Sequence, residues 1–177
     1  VLVWTGLAVG DRRVLSGGVV LLFVAAAKSL SVDMTIHPEP FRLLLNARML
    51  SGASVIAAAY VSALLLWRRR ETLSAQDRLA SPVLALVGNA FTLIFLSLEV
   101  WDEVGQTWPI VSRASAQQMA LSVLWALYGL GAMSVGIWQR ARPVRLFAIG
   151  LLYLAIFKVF LFDLSSLGGE YRIVSFL

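Results

Sequence analysis

Five predominantly apolar runs divide this chain, at about 14–32, 49–67, 81–100, 119–138 and 146–162. Shorter apolar stretches occupy 1–9 and 172–177. Apolar positions follow one another in these runs instead of alternating with polar ones. Continuous runs predict helices, because a lipid-facing barrel strand reads apolar–polar–apolar. Each run has roughly the 17–25 residues that a transmembrane helix needs. Pro82 and Pro143 fall at the starts of runs, where a helix has no use for the missing N–H. The expected fold is an all-α, multi-pass transmembrane helix bundle.

Composition supports an apolar solvent. Of 177 residues, 59% are hydrophobic, and the mean hydropathy is +0.82; soluble domains are about 45–50% apolar. There is no cysteine, and His37 is the single histidine. A disulfide framework, a thiolate metal site and a histidine metal cluster are thereby excluded within this sequence. No phosphate-binding loop, dinucleotide fingerprint, zinc motif or nucleophile elbow occurs, so no cofactor or metal is expected and no catalytic residue is assigned. The chain opens at Val1 inside an apolar run and ends in "RIVSFL", which reads as a segment of a longer protein whose remaining helices would be its partners.

The net charge of +5 changes the picture through its placement. Loops 10–13, 68–80 and 139–145 carry +1, +2 and +3, whereas the alternating loops carry 0, −2 and −1. Cytoplasmic loops are enriched in Lys and Arg, so the first set is expected to be cytoplasmic. Charges that punctuate oily runs do not build the basic face that nucleic acid requires. "RRRETLSAQDR" at 68–78 reads as an anchor for anionic lipid. Trp67 and Trp138 fit one interfacial belt, Trp101 and Trp108 the other.

An offset of 130 residues reveals internal similarity. Lys28, Asp33 and Arg42 fall on Lys158, Asp163 and Arg172, and Arg12, Val14, Leu21, Leu22 and Ala25 also meet identical residues. Apolar matches are common in membrane proteins, but three charges in one order are not. The pattern K-x4-D-x8-R predicts a repeat of about 130 residues with copies starting near 11 and 141. Four helices separate the copies, which makes the repeat parallel, about an axis near the membrane normal.

The region from Trp125 onward resembles the bacterial multi-pass membrane proteins of the domain-of-unknown-function 2339 family. The resemblance rests on W-x2-Y-G at Trp125–Gly129, the arginines Arg140, Arg142 and Arg145, then Lys158, Asp163, and Arg172 with Ser175-Phe176. It implies a long chain of many helices in a bacterial inner membrane, without an assigned biochemical role.

The charges near the ends of the runs are the candidate chemistry. Lys158 lies about 20 Å beyond Arg145 at a 1.5 Å rise per residue, which places it in the outer half of a core about 30 Å thick. An intramembrane charge is expensive and marks function by default. Lys28, Asp33, Arg42, Lys158, Asp163, Arg172 and Glu99 therefore form a candidate polar site on the outer side, with Glu99 a partner for Lys158. Lys158 and Asp163 are about 140° apart on a straight helix. One reading makes each Lys/Asp/Arg set a staple within a scaffold or assembly component of the cell envelope. In a transporter or flippase, the same charges would hold an anionic lipid or lipid-linked substrate. An envelope transferase would use an aspartate in an outward cavity. Asn89 and the small residues Ala53, Ala57, Ala132 and Gly136 read as helix-packing positions, His37 as a loop residue, and 99–109 as an acidic, aromatic interfacial loop.

Overall fold

The computed structural model describes residues 2–9, 12–32, 43, 45–71 and 73–163. These form helices α1 (Leu2–Val9), α2 (Arg12–Ser31), α3 (Ala47–Arg68), the single turn α4 (Ala75–Arg78), α5 (Ala80–Thr107), α6 (Arg113–Trp138) and α7 (Arg142–Lys158), the last continued by a π-helical turn over Val159–Asp163. No strand occurs among the described residues. By length and composition, α3, α5, α6 and the stretch Arg142–Leu161 are each able to cross a membrane. The run expected at 14–32 falls in α2, whose 20 residues span about 30 Å. His37, Asp33, Arg42, Arg172 and the stretch 172–177 lie outside the described residues.

Two compact units make up the chain, Val1–Phe95 and Leu96–Leu177, so their boundary falls within α5. In the first, Val3, Leu15 and Leu22 pack with Ala59, Ala63, Leu66 and Leu84. A second cluster joins Ala26, Phe91 and Phe95 to Met49, Val55 and Ile56. Small residues dominate the buried face of α3, and large ones such as Leu50, Val61 and Leu64 point outward. The second unit repeats this arrangement: Gly129 and Gly136 are buried on α6 and Ala148, Leu151 and Ala155 on α7, while Leu127, Leu130, Leu154 and Phe157 are exposed. Lipid is as apolar as leucine, so helices associate through close approach of small residues and leave bulky side chains to the acyl chains.

Local signals set the helix ends. Asn46 caps α3 by accepting the Met49 N–H at 2.7 Å, which satisfies one of the orphan donors of a first turn. At the end of α6 the Ala141 N–H bonds the Gly136 carbonyl at 2.9 Å and the Arg140 N–H bonds that of Ile137 at 3.1 Å. That is the Schellman pattern, and Arg140 fills its left-handed position with φ 52°.

The acidic segment expected as a loop is helical. α5 continues to Thr107 and α6 starts at Arg113, leaving 108–112 to make the turn at Pro109. The 28 residues of α5 reach about 42 Å, beyond a core of about 30 Å. Hydropathy reports only the part that meets acyl chains, so it stopped short. Tertiary contacts carry the helix on: Gln117 of α6, only 7% exposed, donates its side-chain N–H to the Trp101 carbonyl at 2.9 Å. A Cβ at Gly105 would lie 2.8 Å from the Gln117 Nε2, so the glycine leaves room for that amide.

Close approach defines both short helical hairpins, and at matching places. In α1–α2, a Cβ at Gly6 would lie 2.7 Å from the Leu15 Cα. In α6–α7, a Cβ at Gly136 would lie 2.7 Å from the Arg145 Cγ and 3.0 Å from its backbone N. Gly6 and Gly136 are 130 positions apart, as are Leu15 and Arg145. The helices that follow begin at Arg12 and Arg142, again 130 apart.

Candidate functional site

Among the described site residues, Lys158 has the clearest geometry. It ends α7 and is partly buried. Its Nζ donates to the Ser122 Oγ at 2.7 Å and to the Gln118 carbonyl at 3.0 Å. Ser122 in turn donates its hydroxyl to the same carbonyl at 3.1 Å. The three groups close a triangle in which the ammonium shares its charge between a main-chain oxygen and a hydroxyl. Pairing with backbone carbonyls is one way that a membrane accommodates an ionised side chain. Ser122 is one turn beyond Gln118 on α6, so both acceptors face α7 by helical spacing.

Glu99, on α5, is 1% exposed and engaged in a polar interaction. Lys28 occupies the last turn of α2 and is exposed. Position 163 ends the π-helical turn. In a π-helix the i→i+5 pattern brings residues five apart about one turn above each other. The backbone therefore sets positions 158 and 163 closer in azimuth than a straight α-helix would. The hydropathy pattern holds no trace of that change of helix type.

Several polar contacts were not legible as site chemistry. The W-x2-Y-G stretch distributes itself between two neighbours. Trp125 donates its indole N–H to the Ser97 Oγ of α5 at 3.0 Å. Tyr128 meets Phe147 of α7 edge-on, ring centres 6.5 Å apart and planes at 82°. Gly129 admits Leu152, whose Cδ2 would lie 2.8 Å from an added Cβ. Together with Lys158, these residues tie α6 to α5 on one side and to α7 on the other. In the first unit Arg48 is 2% exposed and Ser29 1% exposed. Arg48 stands second in α3, directly before an apolar run, and that position is the one sequence signal for it. Asn89 donates to the Ala85 carbonyl of its own helix at 2.8 Å. Arg70 stacks over Trp67, 5.6 Å from its ring centre, at the basic end of α3. No grouping of acidic residues or histidine able to hold a metal is present among the described residues.

Helices this long and apolar, packed through small residues and with bulky aliphatic side chains outward, define an integral membrane protein in contact with the lipid bilayer. The chain belongs to the DUF2339 family of predicted membrane proteins, whose family model matches residues 40–177. No curated protein and no solved structure matches it.

Proposed function

We propose that this chain is a helical scaffold, or assembly component, of the bacterial cell envelope, embedded in the inner membrane with loops 10–13, 68–80 and 139–145 in the cytoplasm. The observation that carries the scaffold reading is the Lys158 triangle. An ammonium held by the Ser122 hydroxyl and the Gln118 carbonyl joins α7 to α6, as a staple would. The W-x2-Y-G residues serve the same end, because each of the three makes one contact between helices. The orientation rests on the bias of Lys and Arg towards one set of loops.

The same reading takes the chain as an internal repeat of about 130 residues. Three features support it: the ordered Lys/Asp/Arg pattern, the equal spacing of the helix starts at Arg12 and Arg142, and the glycine contacts at Gly6 and Gly136. Lys28 and Lys158 both fall in the last turn of their helices. On this reading the sequence positions Asp33 with Arg42 and Asp163 with Arg172 would be the remaining members of the two proposed staples.

Thermal unfolding of the full-length protein in detergent tests the scaffold reading. Replacing Lys158 with methionine is expected to lower Tm with no ligand added. An unchanged Tm, combined with loss of protection by an anionic lipid or lipid-linked substrate, would instead assign Lys158 to a binding site.

A further inference from the structure

The first unit carries an open groove of about 490 Å³, within the size range of ligand sites. Trp4 of α1 stands at one edge, Gly18 and Leu21 of α2 form the floor, and Ala58, Val61 and Leu65 of α3 form the far wall. Its lining is aliphatic and aromatic, with Ser62 the one hydroxyl.

Helix direction decides where the groove ends. Ala26 shares a cluster with Met49, near the start of α3, and Leu15 shares one with Leu66, near its end. The two helices are therefore antiparallel, and the first turn of α2 lies level with the last turn of α3. On α3 the lining positions 58, 61, 62 and 65 follow helical spacing, and the same face continues to 68 and 69. Those positions hold Arg68 and Arg69, both exposed. From 58 to 68 the helix rises about 15 Å, and α2 rises equally from 12 to 22. That is half of a hydrocarbon core about 30 Å thick, the depth of one leaflet.

We infer that the groove is a binding site for an anionic phospholipid, with one acyl chain lying along it from Leu65 to Ala58 and the phosphate on Arg68 and Arg69. The lining suits hydrocarbon and offers a head group almost nothing, whereas the arginines at its mouth offer planar forks that match a phosphate. Basic pockets between transmembrane helices hold anionic head groups in this way. The negative end of the α3 dipole opposes an anion, and the positive end of α2 at the same level offsets it. Arg70 takes no part, since it stacks over Trp67, on the opposite side of α3 from the groove by helical spacing. Charge also selects lipid over a second copy of the chain. Two copies inserted in one orientation bring the same arginines to the same side, like against like, and a phosphate meets them with the opposite sign. The site is independent of Lys158 and of the scaffold reading, and it gives the basic stretch at 68–78 a defined ligand position.

The test uses the full-length protein in phosphatidylcholine vesicles that hold a minor share of phosphatidylglycerol bearing a mid-chain diazirine. Photolysis is expected to label the peptides of α2 and α3 that contain Leu21 and Val61, mapped by mass spectrometry, and unlabelled phosphatidylglycerol should compete. Arg68→Gln with Arg69→Gln should weaken that competition about 30-fold, about fivefold for each basic residue. Ala58→Phe, at an exposed position, should fill the groove and remove the adducts. The two variants are independent, so either one alone decides the matter if the other fails to fold. Arg140→Gln with Arg142→Gln removes the same charge from the second unit and should change nothing in the groove. Equal labelling by a phosphatidylcholine probe, or an equal loss with the Arg140 and Arg142 pair, would reduce the effect to general surface contact and overturn the inference. So would competition by glycerol phosphate as strong as that by the whole lipid. In a further arm p-benzoylphenylalanine replaces Leu21, which is 56% exposed. Its expected adduct is lipid, and a link to a second copy or to another segment of the protein would give the groove to that occupant instead.

Discussion

The Lys158 ammonium lies 2.7 Å from the Ser122 hydroxyl, and this bond joins the C-terminal end of α7 to the first half of α6. It forms because Gln118 and Ser122 are four apart on one helix face, so the carbonyl of the first and the hydroxyl of the second converge on one donor. Hydrogen bonds between membrane helices average about 0.6 kcal/mol and reach about 1.7, and a charged donor belongs at the upper end. Lys158→Met and Ser122→Ala should each lower stability. In a double-mutant cycle their losses should be less than additive, by about 0.5–1.7 kcal/mol. Steric-trap or detergent unfolding of the four proteins measures this, and strictly additive losses would contradict a shared contact.

Gly136 sits where a side chain would press on the backbone N of Arg145, so the hairpin must open to admit one. Gly136→Val should destabilise by about 1–3 kcal/mol, the range for overpacking. Gly131 and Gly150 have nothing within 4 Å of an added Cβ. Gly131→Ala and Gly150→Ala should therefore cost nothing, and by the lower backbone entropy of alanine should raise stability by up to about 0.5–1 kcal/mol. Equal losses at all three positions would show that close approach is not the cause.

At the top of α5 the Gly105 vacancy and the Gln117 amide depend on each other. The methyl of Gly105→Ala would displace only the end of a flexible side chain. The expected loss is that of the Gln117–Trp101 bond, about 0.6–1.7 kcal/mol. In a Gln117→Ala background the same Gly105→Ala change should be nearly silent. A full loss in that background would place the constraint elsewhere in the helix pair.

Arg140 holds a left-handed conformation, which costs about 1–2 kcal/mol for a residue with a Cβ. Glycine avoids that strain but loses more backbone freedom on folding, by roughly 0.5–1 kcal/mol. Arg140→Gly should therefore raise stability by about 0.5–1 kcal/mol in equilibrium unfolding, with Ala141 still bonded to the Gly136 carbonyl. Lower stability would mean that the arginine side chain contributes more than its backbone strain.

The sequence lacks cysteine, which makes it suited to single-cysteine labelling. Val111→Cys, in the turn between α5 and α6, should react in intact cells with a membrane-impermeant thiol reagent. Glu71→Cys, beside the basic end of α3, should react only after the membrane is permeabilised. The reverse pattern would invert the proposed orientation.

The sequence by itself determined the solvent and the class of the protein. Apolar runs such as 49–67 are long enough to cross a bilayer, and their continuity, without the alternation of a barrel strand, leaves the helix as the form that satisfies the backbone in lipid, so an all-helical membrane protein follows from pattern and length. Loop charges also supply an expected orientation, which the cysteine labelling above tests, because insertion responds to charge near the ends of runs. Beyond the bilayer that reasoning loses its grip. The continuation of α5 from 100 to Thr107 depends on Gln117 and Gly105 meeting across a hairpin, not on hydropathy. Lys158 was conspicuous in an oily run, but its partners Gln118 and Ser122 are forty and thirty-six positions away, ordinary polar residues in a helix that could rotate to face anything. Only packing decided which oxygens the ammonium meets. In a membrane, burial within protein and exposure to lipid suit the same apolar side chains, so the pattern of leucines cannot report which face is inside; glycine contacts such as Gly136 on Arg145 fix that, and they exist only once the helices are together.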